Sequence, residues 1–336
     1  MEQFVTIEKF RNYSDGLVLI MIDYSIFYQD EIKPDGIHET TSHDIFVSAF
    51  NSSERVLKVF ARIPATEKIW LIHPEYMYRP AEYPTEGTVV APLLSNEMDQ
   101  VNSLIQSLGD LNKRSLCIDI TGFMRHVLLF LIPKLASKNV AKITVIYSEP
   151  DSYSNQEATE FSTRTTGIVR TIHGMRQTNN EHASDALILG VGFDHKLISE
   201  VLNSKDQFVV YPILGFPSLS PDMFQQSAVR SARSGAPALD ADWITNRNFA
   251  PANNPFATAT VISSIVNKLD MARVAPNVYL SPLSTKVQTL GFALYWILEG
   301  RYRGGVSMYL PECETYARET STGLKRVWSY EIELQI

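Results

Sequence analysis

Asp119, Thr121 and Arg125 interrupt the apolar run SLCIDITGFMRHVLLFLIPKL, residues 115–135, where a strand pattern gives way to a helix pattern. A carboxylate, a hydroxyl and a guanidinium, with Gly122 permitting close backbone approach, suit a polar, anionic ligand better than a core. A cation in the first turn of a helix opposes the helix dipole, and an anion bound at that helix end would offset the mismatch. The stretch SPLSTKVQTLG, residues 281–291, presents the same combination: Ser284 and Thr285 read as helix caps and Lys286 stands in the first turn. A third junction, NSSER at 51–55, offers Asn51, Ser52 and Ser53 before a helix opened by Glu54 and Arg55. Its plain reading is an N-cap, since Ser and Asn are favoured there with or without a ligand.

These junctions need elements to position them. Short β-branched or aromatic runs predict strands at 45–50, 68–73, 88–91, 115–120 and 142–147, and apolar spacing of three and four predicts helices at 53–63, 96–108 and 123–137. The second half repeats the order, with strands at 186–191, 207–213, 277–281 and 305–310 and helices at 194–203, 221–233, 256–272 and 286–298. DIFVSAFNSSERVLKVF can be laid on DALILGVGFDHKLISEV, and SLCIDITGFMRHVLLFLI on NVYLSPLSTKVQTLGFALYWIL. Alternating strands and helices predict an α/β fold with two Rossmann-like lobes, mainly parallel sheets and a pseudo-duplication within one chain. The expected division is an extension at 1–43 with one strand at 17–22 that adds an edge strand or a hairpin, a first lobe at 44–150, a linker with a strand or two at 151–182 and a second lobe at 183–336. The Pro- and Asn-rich segment 234–255 reads as a long loop, of a kind that often serves as a lid or partner contact. The C-terminal TGLKRVWSYEIELQI reads as a final strand.

With 336 residues, 45% hydrophobic and 20% charged, the chain has the composition of a packed globular protein, not a disordered one. Thirty Lys and Arg against 37 Asp and Glu give a formal charge of −7, which offers no broad basic field for duplex nucleic acid. The opening MEQFVTIEKFRNYSDG is unlike a secretory leader, and no apolar run reaches membrane-spanning length. Cys117 and Cys313 lie far apart, and Cys117 falls in an apolar strand, so a reducing cytoplasm is the expected location.

Other motifs narrow the chemistry. LGVGFDHK, 189–196, lacks the third glycine of a dinucleotide fingerprint, and no Walker lysine motif occurs. His73, His126, His173, His182 and His195 show no metal-ligand spacing, and neither cysteine has a CxxC partner, so no metal is expected. IHPEYMYRPAEYP, 72–84, holds aromatics and Arg79 able to stack a nucleobase, or else forms an ordinary Tyr- and Pro-rich loop. Glu149 and Glu312 end corresponding strands, as an acid–base pair or as solvated acids.

Strand, DITG, long apolar helix and strand, preceded by a strand with a Ser/Asn loop, resemble the CARF (CRISPR-associated Rossmann fold) ligand-binding domains of prokaryotic defence, over roughly residues 44–150. The resemblance implies a pocket for cyclic oligoadenylates or related nucleotides, usually formed across a dimer. It places Asp119, Thr121 and Gly122 in the family motif, and Ser48, Asn51 and Ser52 around the first-strand loop. The chain departs from the pattern in carrying Phe123 and Arg125 where a second glycine and a lysine are expected, and its second lobe has no D-x-T-G. The resemblance also implies that the two lobes stand in for two subunits and share one cleft. The expected ligand is therefore a phosphate-bearing small molecule, a nucleotide, bound by a sensor or regulatory protein with protein partners in a defence complex. A nucleotide-acting hydrolase or transferase using Asp119, Glu149 or Asp194 stands as an alternative, as does a scaffold subunit with a vestigial pocket. No catalytic residue and no cofactor is assigned.

Overall fold

The computed structural model describes residues 8–11, 18–153, 162–205, 207–219, 241–318 and 321–334. The described residues within 28–166 and 312–335 form one compact unit, here the first, and those within 1–27 and 167–311 form the second.

The chain opens with a hairpin of β1 (Glu8–Arg11) and β2 (Val18–Met21). The first unit follows with β3 (Gln29–Ile32), β4 (His43–Ala49), α1 (Glu54–Arg62), β5 (Ala65–Leu71), β6 (Thr88–Val90), α2 (Glu97–Leu108), β7 (Leu116–Asp119), α3 (Arg125–Ser137), β8 (Lys142–Glu149) and the short β9 (Ser152–Tyr153). Next come β10 (Ser162–Thr171), β11 (Asp185–Val191), α4 (His195–Asn203), β12 (Phe208–Gly215), α5 (Ala241–Thr245), β13 (Asn248–Ala250), α6 (Pro255–Asp270), β14 (Asn277–Pro282), α7 (Lys286–Tyr295) with a π-helical continuation at Trp296–Gly300, α8 (Arg301–Arg303) and β15 (Val306–Tyr316). The chain ends with β16 (Ser321–Thr322) and β17 (Arg326–Glu333).

In the first unit the sheet order is β3-β17-β8-β7-β4-β5-β6. The five strands from β8 to β6 run parallel, and β17 lies antiparallel between β8 and β3. Continuous apolar runs such as IFVSA and LCI are buried, as inner strands of a sheet covered on both faces must be. Helix α1 buries Val56, Val59 and Phe60 at helical spacing, against a core of Phe46, Phe50, Trp70, Cys117 and Ile146. Phe60 stacks on Trp70 with ring centroids 3.6 Å apart. Helix α2 is capped by Asn96, whose side chain accepts from the Asp99 amide at 2.7 Å, and it ends at Gly109 with φ 65°. Helix α3 buries Val127, Leu128, Leu129, Leu131, Ile132 and Leu135 around most of its circumference.

The second unit repeats this plan in the order β10-β15-β14-β11-β12-β13, with β11 to β15 parallel. The protein is thus α/β with two mostly parallel sheets, compatible with two Rossmann-like lobes. In each unit the first strand of the parallel set, β4 or β11, sits centrally, the next two lie on one side and the last two on the other.

The division of the chain differs from the expected one. The final strand, expected in the second lobe, pairs along its whole length with β8 of the first, because Arg326–Glu333 finds an open sheet edge beside Lys142–Glu149. Strands β10 and β15 each carry the chain from one unit into the other, and the described part of 151–182 contributes the strands β9 and β10. The expected helix 221–233 and residues 234–240 lie outside the described residues. The rest of the expected loop 234–255 is not structureless: it holds α5 and β13, which pairs parallel with β12. Strand 17–22 is the second strand of the β1–β2 hairpin. No helix among the described residues is long and apolar enough to cross a membrane.

Candidate functional site

In an open parallel sheet, ligands gather beyond the carboxyl ends of the strands, where the strand order reverses. In the first unit that point lies between β4 and β7, in register at Ser48 and Asp119. The loop after β4 leads into α1 and the loop after β7 into α3. A Cβ on Gly122 would collide with the carbonyl oxygen of Ala49, so only glycine lets the two loops close on each other.

Seven of the ten expected site residues gather here. Ser48 donates from Oγ to Oδ2 of Asp119 at 2.9 Å, and the Thr121 amide donates to Oδ1 at 3.0 Å. Burial raises the Asp119 carboxyl above its ordinary range, although the Thr121 and Ser48 hydrogen bonds and the Arg55 charge pull the other way. Asp119 is 0% exposed and both its oxygens are engaged, so it organises the loop rather than facing a ligand. Thr121 Oγ1 accepts the Ser148 amide at 3.0 Å and lies 3.0 Å from the Ser148 hydroxyl, which ties the loop to β8. Asn51 Oδ1 accepts from both the amide (3.0 Å) and the hydroxyl (2.6 Å) of Ser53. The Ser52 amide donates to the Tyr78 hydroxyl at 2.9 Å. Arg125 is the first residue of α3, half-buried, and its Nη1 donates to the Tyr316 hydroxyl at 3.1 Å.

Residues outside the expected set complete the arrangement. Tyr76 donates to the Gly122 carbonyl at 3.0 Å and accepts from Asn51 Nδ2 at 3.5 Å, so one phenol joins the two loops; its burial pushes its pKa up. Arg318 holds the segment carrying Tyr76 and Tyr78, donating to the Tyr76 carbonyl at 2.7 Å and lying 4.1 Å from the Tyr78 ring centroid. His73 Nε2 accepts the Met124 amide at 3.2 Å, which puts its proton on Nδ1, 2.6 Å from Gln100 Oε1. Gln100 donates in turn to Glu75 at 3.0 Å, and His126 Nε2 stands 3.0 Å from the same carboxylate. Burial alone would raise the Glu75 carboxyl, but His126 and His73 bring it below its ordinary value. Arg55 is buried at 7% exposed and donates from Nη1 to the Ser148 carbonyl at 2.5 Å.

The signal for Arg55 was the one that marked Arg125, a cation in a first turn, but nothing local told that it points inward. In the Tyr-rich stretch 72–84, readable as a stacking platform or as an ordinary loop, Tyr76 serves by its hydroxyl. Glu149 is occupied by Trp328 Nε1 at 2.6 Å and Arg326 at 3.3 Å.

In the second unit the corresponding point lies between β11 and β14, and Ser284, Thr285 and Lys286 gather there. Here the close approach is made by Gly192, whose Cβ would collide with the Leu283 carbonyl. Ser284 is buried, and Thr285 caps α7, its Oγ1 accepting the Gln288 amide at 3.1 Å and donating to the Ala252 carbonyl at 2.7 Å. Lys286 is the first residue of α7 and half-buried. Ser281 Oγ and Gln288 Oε1 are buried without a hydrogen-bond partner.

An open groove of about 1330 Å³ lies elsewhere on the first unit, at the amino ends of β4, β7 and β8, lined by residues including His43, Lys113, Arg114, Lys138 and Lys142. Two of its cations are already paired, Arg114 with Glu67 at 2.7 Å and Lys142 with Glu331 at 2.8 Å, and it lies at the wrong end of the strands for helix amides to take part. No group of three or more His, Cys, Asp or Glu able to hold a metal occurs among the described residues. Compared with models of known protein families and with curated proteins, the chain matches none.

Proposed function

We propose that the chain is a nucleotide-binding sensor or regulatory protein that takes its ligand at the β4/β7 switch point of the first unit. The observation that carries this reading is the closure of two helix-leading loops onto one another through Gly122 and Ala49, at the place where a parallel sheet reverses its order. Ser52, Asn51 and Thr121 line these loops, and Arg125 supplies charge at the start of α3. In the second unit Thr285 and Lys286 hold the equivalent place at α7.

A sensor is favoured over a hydrolase or transferase by the state of Asp119. A general base needs a carboxylate that reaches substrate, whereas both oxygens of Asp119 accept internal hydrogen bonds in a fully buried site. Cytoplasmic residence and a place in a prokaryotic defence complex belong to the same proposal. The first is supported by two cysteines that form no disulfide, the second by the resemblance over residues 44–150.

The test is a panel of mono-, di- and cyclic oligonucleotides, read by thermal shift and by product analysis. The expected result is stabilisation of about 2.7 kcal/mol at a hundred times Kd, without product. Product formation that Asp119→Asn abolishes while binding persists would establish the enzyme instead. Neither binding nor product would leave the scaffold reading.

A further inference from the structure

We propose that Arg55 anchors an oxyanion subsite in the first unit, filled by a phosphate group of the ligand. The inference rests on the switch point being a ligand site and names the group bound there.

A guanidinium is rarely buried without an anion beside it, because desolvating a charge is costly unless a partner and hydrogen bonds replace the lost water. This chain follows the rule elsewhere. Arg303 in the second unit, with its side chain 11% exposed, grips Asp270 with Nε at 2.9 and 3.0 Å and Nη2 at 2.5 Å. Arg55 is as deeply buried but enters no ion pair with any described residue. Its protein partners are the neutral Ser148 carbonyl and, 6.0 Å from the guanidinium carbon, the Tyr147 ring. Its buried Nε has no hydrogen-bond partner at all. The carboxyl whose charge it feels is Asp119, and both oxygens of that group are taken by Ser48 and Thr121.

The position adds to the argument. Arg55 is the second residue of the nine-residue α1, whose first amides need acceptors. The preceding Ser53 does not cap them: its hydroxyl turns to donate to Asn51 Oδ1 and accepts no helix amide. A cation placed there opposes the helix dipole, and one bound oxyanion would satisfy the helix amides and the guanidinium together. The planar edge formed by Nε and an Nη matches two oxygens of a phosphate, which a lysine could not match.

The experiment uses the full chain with inorganic phosphate alone, AMP and adenosine, measured by calorimetry, and compares the natural protein with Arg55→Met and Arg55→Lys. The first replacement keeps an apolar stem and the second keeps the charge without the fork. The expected result is loss of phosphate binding and at least tenfold weaker AMP binding in Arg55→Met, a smaller loss in Arg55→Lys, and unchanged adenosine affinity. The free Arg55→Met protein should melt no lower than the natural one, since a buried charge without a partner has been removed. In case Arg55→Met does not fold, the Nε–H resonance of Arg55 in the natural protein supplies an independent readout, and it should shift on phosphate titration.

Retained AMP binding in Arg55→Met, or an unmoved Nε–H resonance in phosphate-bound protein, overturns the subsite and leaves the ligand site standing. A lower melting temperature in Arg55→Met that Asp119→Asn reproduces, with no further drop in the double variant, makes Arg55 the internal counter-ion of Asp119 and also overturns it. Failure of the natural protein to bind phosphate or any nucleotide overturns both the subsite and the proposed function.

Discussion

The two switch points solve one geometric problem by opposite means and then diverge in chemistry. In each, two loops must close where the sheet reverses. The first unit places its glycine after the later strand, Gly122 against Ala49, and the second places it after the earlier strand, Gly192 against Leu283. Across the paired strands the first unit sets Ser48 beside Asp119, whereas the second sets Leu189 beside Ser281. In the helix after the central strand, Arg55 is buried while the corresponding Lys196 is exposed. Backbone architecture is therefore shared by the two units, but at the strand reversal the first buries a cation at the start of its helix, Arg55, whereas the second buries the capping carboxylate Asp194. Loop closure belongs to the fold, and the polar filling is particular to each unit.

The comparison breaks most sharply at the glycines. Gly122→Ala and Gly192→Ala should each destabilise by about 3 kcal/mol or more, measured by chemical denaturation, because backbone oxygen has nowhere to retreat. A tolerated alanine in either unit would mean that its loops do not meet as described.

Next in size is a contrast between buried carboxyls. The second unit buries Glu299 in its π-helical turn, away from the strand reversal; burial lifts its pKa to about 7, although Ser263 donates to it at 2.8 Å. Between the unfolded value near 4.5 and the folded value near 7 the native state holds more protons. Stability of the second unit is thus greatest below pH 4.5 as far as this group is concerned. It falls as pH rises through 7, by of order 3 kcal/mol. Glu299→Gln should flatten that slope in melting curves recorded from pH 5 to pH 8, and an unchanged slope would locate the titration elsewhere.

The smallest effect sharpens the Ser48 and Ser281 contrast. Ser48→Ala leaves an oxygen of buried Asp119 without its donor and should cost about 2 kcal/mol, whereas Ser281→Ala, whose hydroxyl has no partner, should lie within about 0.5 kcal/mol of neutral. Equal losses at the two sites would show that the units are more alike than their polar contacts indicate.

Much of this was legible from residue order. Runs such as LCID and ITVIY announce buried strands because nothing polar breaks them, and DITG announces a junction because Asp, Thr and Gly have no other use between such a strand and a helix. What escaped was non-local. RVWSYEIE reads as a strand, but only the free edge beside β8 decides its sheet. Arg55 reads only as a residue that opens a helix until its reach to a carbonyl 93 residues away is seen. Residues 241–250 read as loop because α5 and β13 are too short for periodicity to register.

The histidine and carboxylate chain behind α3 closes on the helix from which it starts. It leaves at Met124, passes His73, Gln100 and Glu75, and returns at His126. One fastening reaches the backbone at the N-cap and the other a side chain in the first turn, so the start of α3 is held at both although Met124 supplies no capping side chain.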